Sequence, residues 1–293
     1  MNLAALCHGE PVPFKPGVYR EMPRLIYDRI PAFSCTALKK WISLGEIPSE
    51  FAYWMQMRWD ETPSEAMIIG NALDCLLLDD LFSAKYAVAP EGDRRTTAGK
   101  AQWNAFQAAH KGKTVLTASQ FDKVDTMAES VRRAPALDGV FDNCKKVVLC
   151  GELWGYPAKA EIDLFTPDSE HLLDLKTARD VSARWFSKAF LDLGYDYQAS
   201  FYLALAQACG LKKRTFDFIT VKNEAPWTCK VHAFDIDDPD HRIFFDACLL
   251  KLARAAGSIT TRLERNNFTD SQDWELLQLP EWALHQAKME TLP

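Results

Sequence analysis

Alternating apolar and polar positions predict a β-hairpin near the middle of the chain. Residues 159–165 and 172–177 both alternate, and a turn-rich stretch containing Pro-Asp-Ser joins them. In a symmetric hairpin Asp163 lies opposite Asp174, and Lys176 follows one pleat repeat later on the same face. The pattern therefore predicts two facing carboxylates with a lysine beside them.

The two faces of this hairpin have different expected environments. One face is expected to pack on a core through Ile162, Leu164, Leu173 and Leu175. Carboxylates whose Cβ atoms are about 5 Å apart repel each other, so a hard divalent cation is a natural occupant between them. The alternative is a pair of surface carboxylates on a solvated face. Glu161 shares the face of Asp163 and is interpreted as a solvated residue.

Periodicity also predicts the surrounding elements. Segments with a helical period lie at residues 34–42, 51–58, 65–78, 119–133, 185–191, 196–209 and 240–265. Strand-like alternation lies at residues 145–150, 151–163, 215–222 and 229–234. This order divides the chain into an irregular, proline-rich arm at 1–33, a mainly helical part at 34–140, a strand-rich core at 141–239, and a C-terminal helix and tail at 240–293.

One acidic residue interrupts an apolar helix. Residues 65–78 are apolar almost all round, which is typical of a buried helix, yet Asp74 lies within them. A buried carboxylate is costly unless it is paired, protonated or bound to a metal, so Asp74 is a candidate site residue. A position at a half-exposed edge of the helix is the alternative.

A second polar stretch combines basic and aromatic residues. Residues 93–113 carry five basic residues interleaved with Trp103 and Phe106. Such a mixture can hold a nucleic-acid strand through phosphate contacts and stacking. A solvated helix with a core-facing aromatic stripe is the more common explanation, and we take it as the expectation.

Composition limits the function classes. The 293 residues have a formal charge of -6, which argues against a generally basic nucleic-acid coat but not against a local basic groove. The eight cysteines form no Cys-x-x-Cys pair, and no His-Glu-x-x-His or P-loop motif is present, which disfavours zinc, iron–sulfur and ATP-driven chemistry. No run is apolar enough to span a membrane, and the N-terminus lacks a signal-peptide pattern, so we expect a cytoplasmic protein.

Three motifs together resemble a known nuclease superfamily. Gly151-x(11)-Asp163, then Asp174-Leu-Lys-Thr, then Gln198-x-x-x-Tyr202 resemble the motif series of the RecB-like branch of the PD-(D/E)XK nucleases. The resemblance extends to the exonuclease VIII (RecE) nuclease domain and its phage relatives through residues 17–23, 34–40, 70–78, 113–117 and 279–283. It implies an α/β (α+β) fold with a central mixed β-sheet flanked by helices and a helical N-terminal part.

The resemblance also implies an activity. Members of this family are Mg²⁺-dependent exonucleases, with Mn²⁺ as a substitute, which degrade one strand of linear double-stranded DNA from its 5′ end. The remaining 3′ overhang passes to a single-strand annealing protein of the RecT type. A homo-oligomeric ring, trimer or tetramer, and a phage or prophage origin in a bacterial host cell are implied as well. The alternatives are a nuclease-fold protein that binds DNA or a partner without cleavage, and an endonuclease on the same fold.

Site residues follow from the matching motif positions. Asp163, Asp174, Lys176, Gln198 and Tyr202 are the implied catalytic set. The expected metal ligands are Asp74, Asp163, Asp174 and the backbone carbonyl of Leu175. The family commonly has a histidine where this chain has Asp74, so metal affinity is expected to differ. Phosphate contacts are expected from the short donors and guanidinium after the catalytic strand, namely Thr177, Arg179 and Ser182.

Overall fold

The computed structural model describes residues 3–60, 62–79, 82–141, 145–167 and 169–270. Its helices are α1 Arg24–Asp28, α2 Cys35–Ser43, α3 Pro48–Met57, α4 Glu65–Asp74, α5 Phe82–Lys85, α6 Thr97–Ala109, α7 Ala118–Arg132, α8 Ala183–Asp192, α9 Tyr195–Ala208 and α10 Pro239–Arg265. Its strands are β1 Gly17–Arg20, β2 Tyr86–Val88, β3 Thr114–Leu116, β4 Lys145–Leu153, β5 Tyr156–Phe165, β6 His171–Ala178, β7 Thr215–Lys222 and β8 Cys229–Asp235.

The described strands form one large mixed sheet and one small one. The large sheet has the order β1-β4-β5-β6-β7-β8 and is antiparallel except between β6 and β7. Parallel neighbours need a long crossover, and here the crossover contains α8 and α9. The small sheet pairs β2 with β3 in parallel. The predicted α/β class with a central mixed sheet flanked by helices is confirmed.

Two of the three hydrophobic cores among the described residues cover most of the large sheet, one on each face. The first joins α2, α9 and α10 to the sheet and includes Trp41, Phe201 and Leu252. The second joins α4 and α7 to the other face and includes Leu73 and Met127. Packing on both faces explains why β7 is buried along all but its last residue.

The predicted hairpin is present, with one difference in its faces. β5 pairs with β6 at Leu164–Leu173 and Phe165–Leu172, and this register, continued by one pair, sets Asp163 opposite Asp174. Leu164 and Leu173 pack together in the second core as expected, but Ile162 belongs to the first core. The expectation of one shared face is wrong here because Ile162 pairs with Val147 and Phe165 with Lys145, so β5 has one extra residue between them, and this bulge reverses the alternation of faces.

The N-terminal segment differs from the irregular arm that was expected. Residues 17–20 form β1, which pairs antiparallel with β4, and α1 follows it. Its prolines lie outside the strand, so the ladder donors are retained. The mainly helical part also contains the unpredicted strands β2 and β3, and the predicted C-terminal tail beyond residue 270 lies outside the described residues. Within the described part of the chain, no helix is long and apolar enough to cross a membrane.

Candidate active site

One cleft brings together most of the sequence-predicted site residues. It has a volume of about 690 Å³, and its walls include Asp74, Asp163, Asp174, Lys176, Gln198 and Tyr202. These side chains come from α4, β5, β6 and α9. The cleft therefore lies at the point where β5 and β6 separate and the crossover helix passes over β6.

Asp174 is the most tightly held of these residues. Its side chain is buried, Oδ1 accepts a hydrogen bond from Gln198 Nε2 at 2.9 Å, and Oδ2 lies 2.5 Å from Lys176 Nζ. Burial lowers the pKa of Lys176, but the Asp174 carboxylate outweighs this effect and raises that pKa above its ordinary value. Lys176 is therefore an ammonium ion, and it supplies positive charge inside the cleft.

Asp163 has a different cationic partner. Lys146 Nζ lies 3.2 Å from Asp163 Oδ1 and 2.8 Å from Glu161 Oε1. Burial, and then repulsion from Asp174, raises the pKa of the Asp163 carboxyl. Glu161 also accepts a hydrogen bond from Arg24 at 3.2 Å, so its interpretation as a solvated residue is wrong. In this arrangement each strand aspartate faces its own lysine.

Asp74 lies where an α-helix changes its geometry. It is the last residue of α4, and Cys75–Asp79 continue as a π-helical turn, a feature that is common at functional sites. Burial, followed by repulsion from Asp163 and Asp174, raises the pKa of Asp74 to about 8. Asp74 thus lines the cleft among like charges, although by exposed area it is only half-buried.

The donor set suits a hard divalent cation, although the ligands are not preassembled. Asp174 Oδ2 is buried and, among the described residues, accepts no hydrogen bond of ordinary geometry. Within the same described residues, no three His, Cys, Asp or Glu side chains converge closely enough to hold a metal ion. Magnesium keeps several waters and needs only one or two protein carboxylates beside substrate phosphate oxygens. Asp163 and Asp174 meet that need, and a bound cation would lower the raised carboxyl pKa values of Asp163 and Asp74.

Gln198 and Tyr202 project into the cleft from successive turns of α9. Their four-residue spacing places them on one helix face, while Ala199, Phe201 and Leu203 are buried in the first core. Burial raises the pKa of Tyr202 well above its ordinary value, so its hydroxyl keeps its proton and can donate a hydrogen bond. Leu175 lies on β6 between Asp174 and Lys176, with its side chain in the second core.

The three predicted phosphate contacts do not line this cleft. Arg179 and Ser182 line a separate shallow pocket with Lys222 and Lys230, and Thr177 lies on β6 beside Val221 of β7. Ser182 caps α8, because its hydroxyl accepts a hydrogen bond from the Trp185 amide at 3.4 Å. Their role as phosphate contacts therefore stays a prediction, and for Ser182 the capping contact is a sufficient structural reason.

Sequence reasoning missed Lys146. The register of β4 against β5 shifts between Lys145 and Val147, which is the signature of a β-bulge. Bulges redirect side chains and are frequent next to active sites. Simple alternation predicts a strand here but not a side chain directed at Asp163, so the residue could have been found only with the pairing in hand.

The rim of the cleft combines tryptophans with an arginine. The guanidinium of Arg58 lies 4.8 Å from the ring centroid of Trp54 and 4.3 Å from that of Trp59. It also donates a hydrogen bond to the carbonyl oxygen of Leu6 at 2.6 Å, which fixes its position. Periodicity predicted a helix here, but it gave no signal that these side chains reach the cleft.

Comparison with known proteins identifies a family whose model matches most of this chain. The family model described as a PDDEXK-like domain of unknown function (DUF3799) matches residues 34–246, well over half of the chain. No curated protein matches. A solved structure described as a candidate exonuclease from Eubacterium rectale is similar, with a TM-score of 0.52 and 15% identity over 87% of this chain and 92% of its own. A phage-related exonuclease from Haemophilus somnus 129PT is 12% identical, with a TM-score of 0.31 over 79% of this chain and 96% of its own.

Proposed function

Because the chain belongs to this PDDEXK-like family, we propose that it is a metal-dependent nuclease that hydrolyses phosphodiester bonds in DNA. The observation that carries the proposal is the setting of Asp174. Its carboxylate is held between Lys176 and Gln198, in the same cleft as Asp163 and Asp74. Opposed carboxylates beside an ammonium group are suited to bind a divalent cation next to a phosphate.

The finer assignment is a RecE-like, Mg²⁺-dependent exodeoxyribonuclease. Its support is the motif resemblance over nearly the whole chain, including Gln198 and Tyr202 on one face of α9. Such an enzyme degrades linear double-stranded DNA from 5′ to 3′ and leaves a 3′ overhang. A RecT-like annealing partner and a trimeric or tetrameric ring belong to the same proposal. Mn²⁺ is expected to replace Mg²⁺.

Each residue has a distinct part in this proposal. Asp163 and Asp174 would hold the ion, with Asp74 and the Leu175 carbonyl oxygen as further ligands. When bound, the ion polarises the scissile phosphate and makes an attacking water more acidic. Lys176 Nζ offsets negative charge that develops on the phosphate. Gln198 orients Asp174.

A test of the exonuclease assignment compares two DNA topologies. Labelled linear duplex and closed circular duplex of the same sequence are incubated with the full chain in Mg²⁺. Digestion of the linear form alone, with label at the 5′ end released first, is expected. Cleavage of the closed circle would instead establish an endonuclease on this fold.

A non-cleaving DNA-binding protein is the second candidate. One observation favours it: Lys146 Nζ lies 3.2 Å from Asp163 Oδ1 and so already neutralises part of the charge that a metal ion would otherwise balance. Labelled linear duplex with Mg²⁺ or with EDTA separates the candidates. Retention of intact DNA in both conditions, with a measurable shift of the bound complex, would support the binding protein.

A further inference from the structure

Helix α6 lies outside the hydrophobic cores formed by the described residues. It connects the parallel strands β2 and β3, and a helix in that position ordinarily covers its sheet. All residues of α6 are described, and none of them is buried. The core-facing stripe expected from the sequence is therefore wrong, and the aromatic residues of this helix need another explanation.

The aromatic side chains of α6 stack on each other instead. The guanidinium of Arg94 lies 3.5 Å from the ring centroid of Trp103. The ring of Trp103 is 5.4 Å from that of Phe106, which is 4.4 Å from that of His110. Spacings of three and four residues place the three rings on one face of the helix. We call this row of four side chains the α6 stack.

Hydrogen bonds hold the backbone of the loop that carries Arg94 into α6. The Asp93 carbonyl oxygen accepts hydrogen bonds from the Thr96 amide at 3.3 Å and its hydroxyl at 3.0 Å, and that hydroxyl accepts one from the Gly99 amide at 3.0 Å. A Cβ on Gly99 would lie 2.1 Å from the Asp93 carbonyl oxygen. The backbone that leads from Arg94 into α6 is thus held by its own contacts.

Local charge indicates the kind of ligand. Residues 91–113 carry two acidic residues, Glu91 and Asp93, against the five basic residues Arg94, Arg95, Lys100, Lys111 and Lys113, within a chain of net charge -6. Lys113 donates a hydrogen bond to the Ser83 carbonyl oxygen, while Arg95, Lys100 and Lys111 are exposed. An acidic protein that concentrates positive charge around aromatic rings offers a surface complementary to a nucleic-acid strand.

We propose that the α6 stack binds single-stranded DNA. Trp103 and Phe106 are half-exposed, and bases stack on the ring area that their neighbours in the row leave uncovered, while Lys100, Lys111 and Arg95 contact phosphates. An unpaired strand is the fitting ligand because its bases expose their faces, whereas a duplex hides them. The choice of DNA rests on the proposed nuclease function, since digestion of one strand of a duplex leaves the other strand single.

Binding of a fluorescein-labelled 20-nucleotide oligothymidine, followed by anisotropy in EDTA, tests this proposal without cleavage. Trp103→Ala and Phe106→Ala are each expected to weaken binding about tenfold, which is the typical effect of losing one stacked base. Lys100→Ala is expected to reduce the slope of log K against log salt by about 0.7. The matched control is Phe244→Ala on α10, which removes a ring that is 48% exposed and should leave the affinity unchanged.

The outcomes separate this site from the proposed active site. If the wild type binds through Trp103 but cuts no DNA, the α6 site stands and the nuclease proposal fails. Unchanged affinity in Trp103→Ala and Phe106→Ala would overturn the α6 site even in an active enzyme. The α6 site would also be overturned if the sedimentation coefficient of Trp103→Ala or Phe106→Ala changed while DNA binding was retained. That result would assign the stack to contacts between copies of the chain.

Discussion

At the scale of single residues, the cleft is defined by carboxylates that are only partly neutralised. Lys176 lies against Asp174 and Lys146 against Asp163, whereas Asp74 keeps a pKa of about 8 because of burial and the other two aspartates. Like charges held together destabilise a folded protein until a cation arrives. Stability measurements with and without metal therefore report on the site directly.

Asp74→Asn is expected to stabilise the metal-free protein in a pH-dependent way. The folded pKa of about 8 exceeds the unfolded value of about 3.9. The native state therefore holds the proton more tightly, and this group's contribution to stability is lost as pH rises from about 4 to 8. In EDTA, the Tm advantage of the variant over wild type should be small at pH 5 and larger at pH 8. An advantage that does not grow with pH would contradict the assignment of the shift to Asp74.

Lys146→Met tests the residue that sequence reasoning missed. The change leaves Asp163 and Glu161 without their shared ammonium group, so Tm in EDTA should fall. Because a bound cation then relieves more repulsion, the Tm gain on adding Mg²⁺ should exceed that of wild type. The matched control is Lys188→Met, which removes a lysine paired with Asp192 on the exposed surface of α8. Equal Mg²⁺-induced gains in Lys146→Met and wild type would show that Lys146 is not part of the metal environment.

At the scale of elements, the approach of α9 to the sheet sets the position of Gln198. A Cβ on Gly151 of β4 would lie 2.9 Å from Leu205 Cδ1 and 3.1 Å from Cys209 Sγ. Leu205 is fully buried in the first core and has no room to move. The glycine therefore permits the close packing of α9 on β4, from which Gln198 reaches Asp174 of β6.

The substitution Gly151→Ala is expected to destabilise the protein by about 1–3 kcal/mol, because overpacking shifts α9 against β4. The matched control is Gly257→Ala on α10, where the nearest atom to a new Cβ is Tyr156 Oη at an ordinary 3.5 Å. That change should be neutral or stabilise by about 0.5–1 kcal/mol, since alanine favours the helix. Urea unfolding of both variants checks the pair. Equal stability of the two would mean that α9 and β4 are less tightly packed than described.

Elements with a clear period were predictable from the sequence, and the exceptions have physical reasons. The strand β7 and the helices α9 and α10 lie within one residue of their predicted bounds. The strands β2 and β3 are too short to show alternation, and the predicted helix 65–78 divides into α4 and a π-helical turn. A change of hydrogen-bond pattern within an apolar run leaves no trace in its period.

The same contrast applies to the candidate site. Asp163, Asp174 and Lys176 follow from alternation in a hairpin, whereas Lys146 depends on a bulge that alternation does not reveal. Gln198 is identifiable only by its spacing from Tyr202. Long-range contacts such as the pairing of Arg24 with Glu161 depend on the folded chain and have no local signal.

At the scale of the whole molecule, the mixed sheet explains how distant segments form one cleft. The antiparallel pairing of β6 with β5 ends after two residue pairs, whereas its parallel pairing with β7 continues along the whole strand. The crossover between β6 and β7 then places α9 beside the gap between β5 and β6. Residues from α4 on one side and α9 on the other then face the same two carboxylates. This arrangement, together with family membership, supports the proposed cleavage of DNA.

The most direct measurement is release of label from linear duplex DNA by the full chain in Mg²⁺ and in EDTA, with Asp174→Asn and Lys176→Met as the variants. The account predicts Mg²⁺-dependent cleavage by wild type and a loss of at least about 100-fold in both variants. Circular dichroism should show that both remain folded. Cleavage by Asp174→Asn at the wild-type rate, or equal cleavage by the wild type in EDTA, would contradict the account.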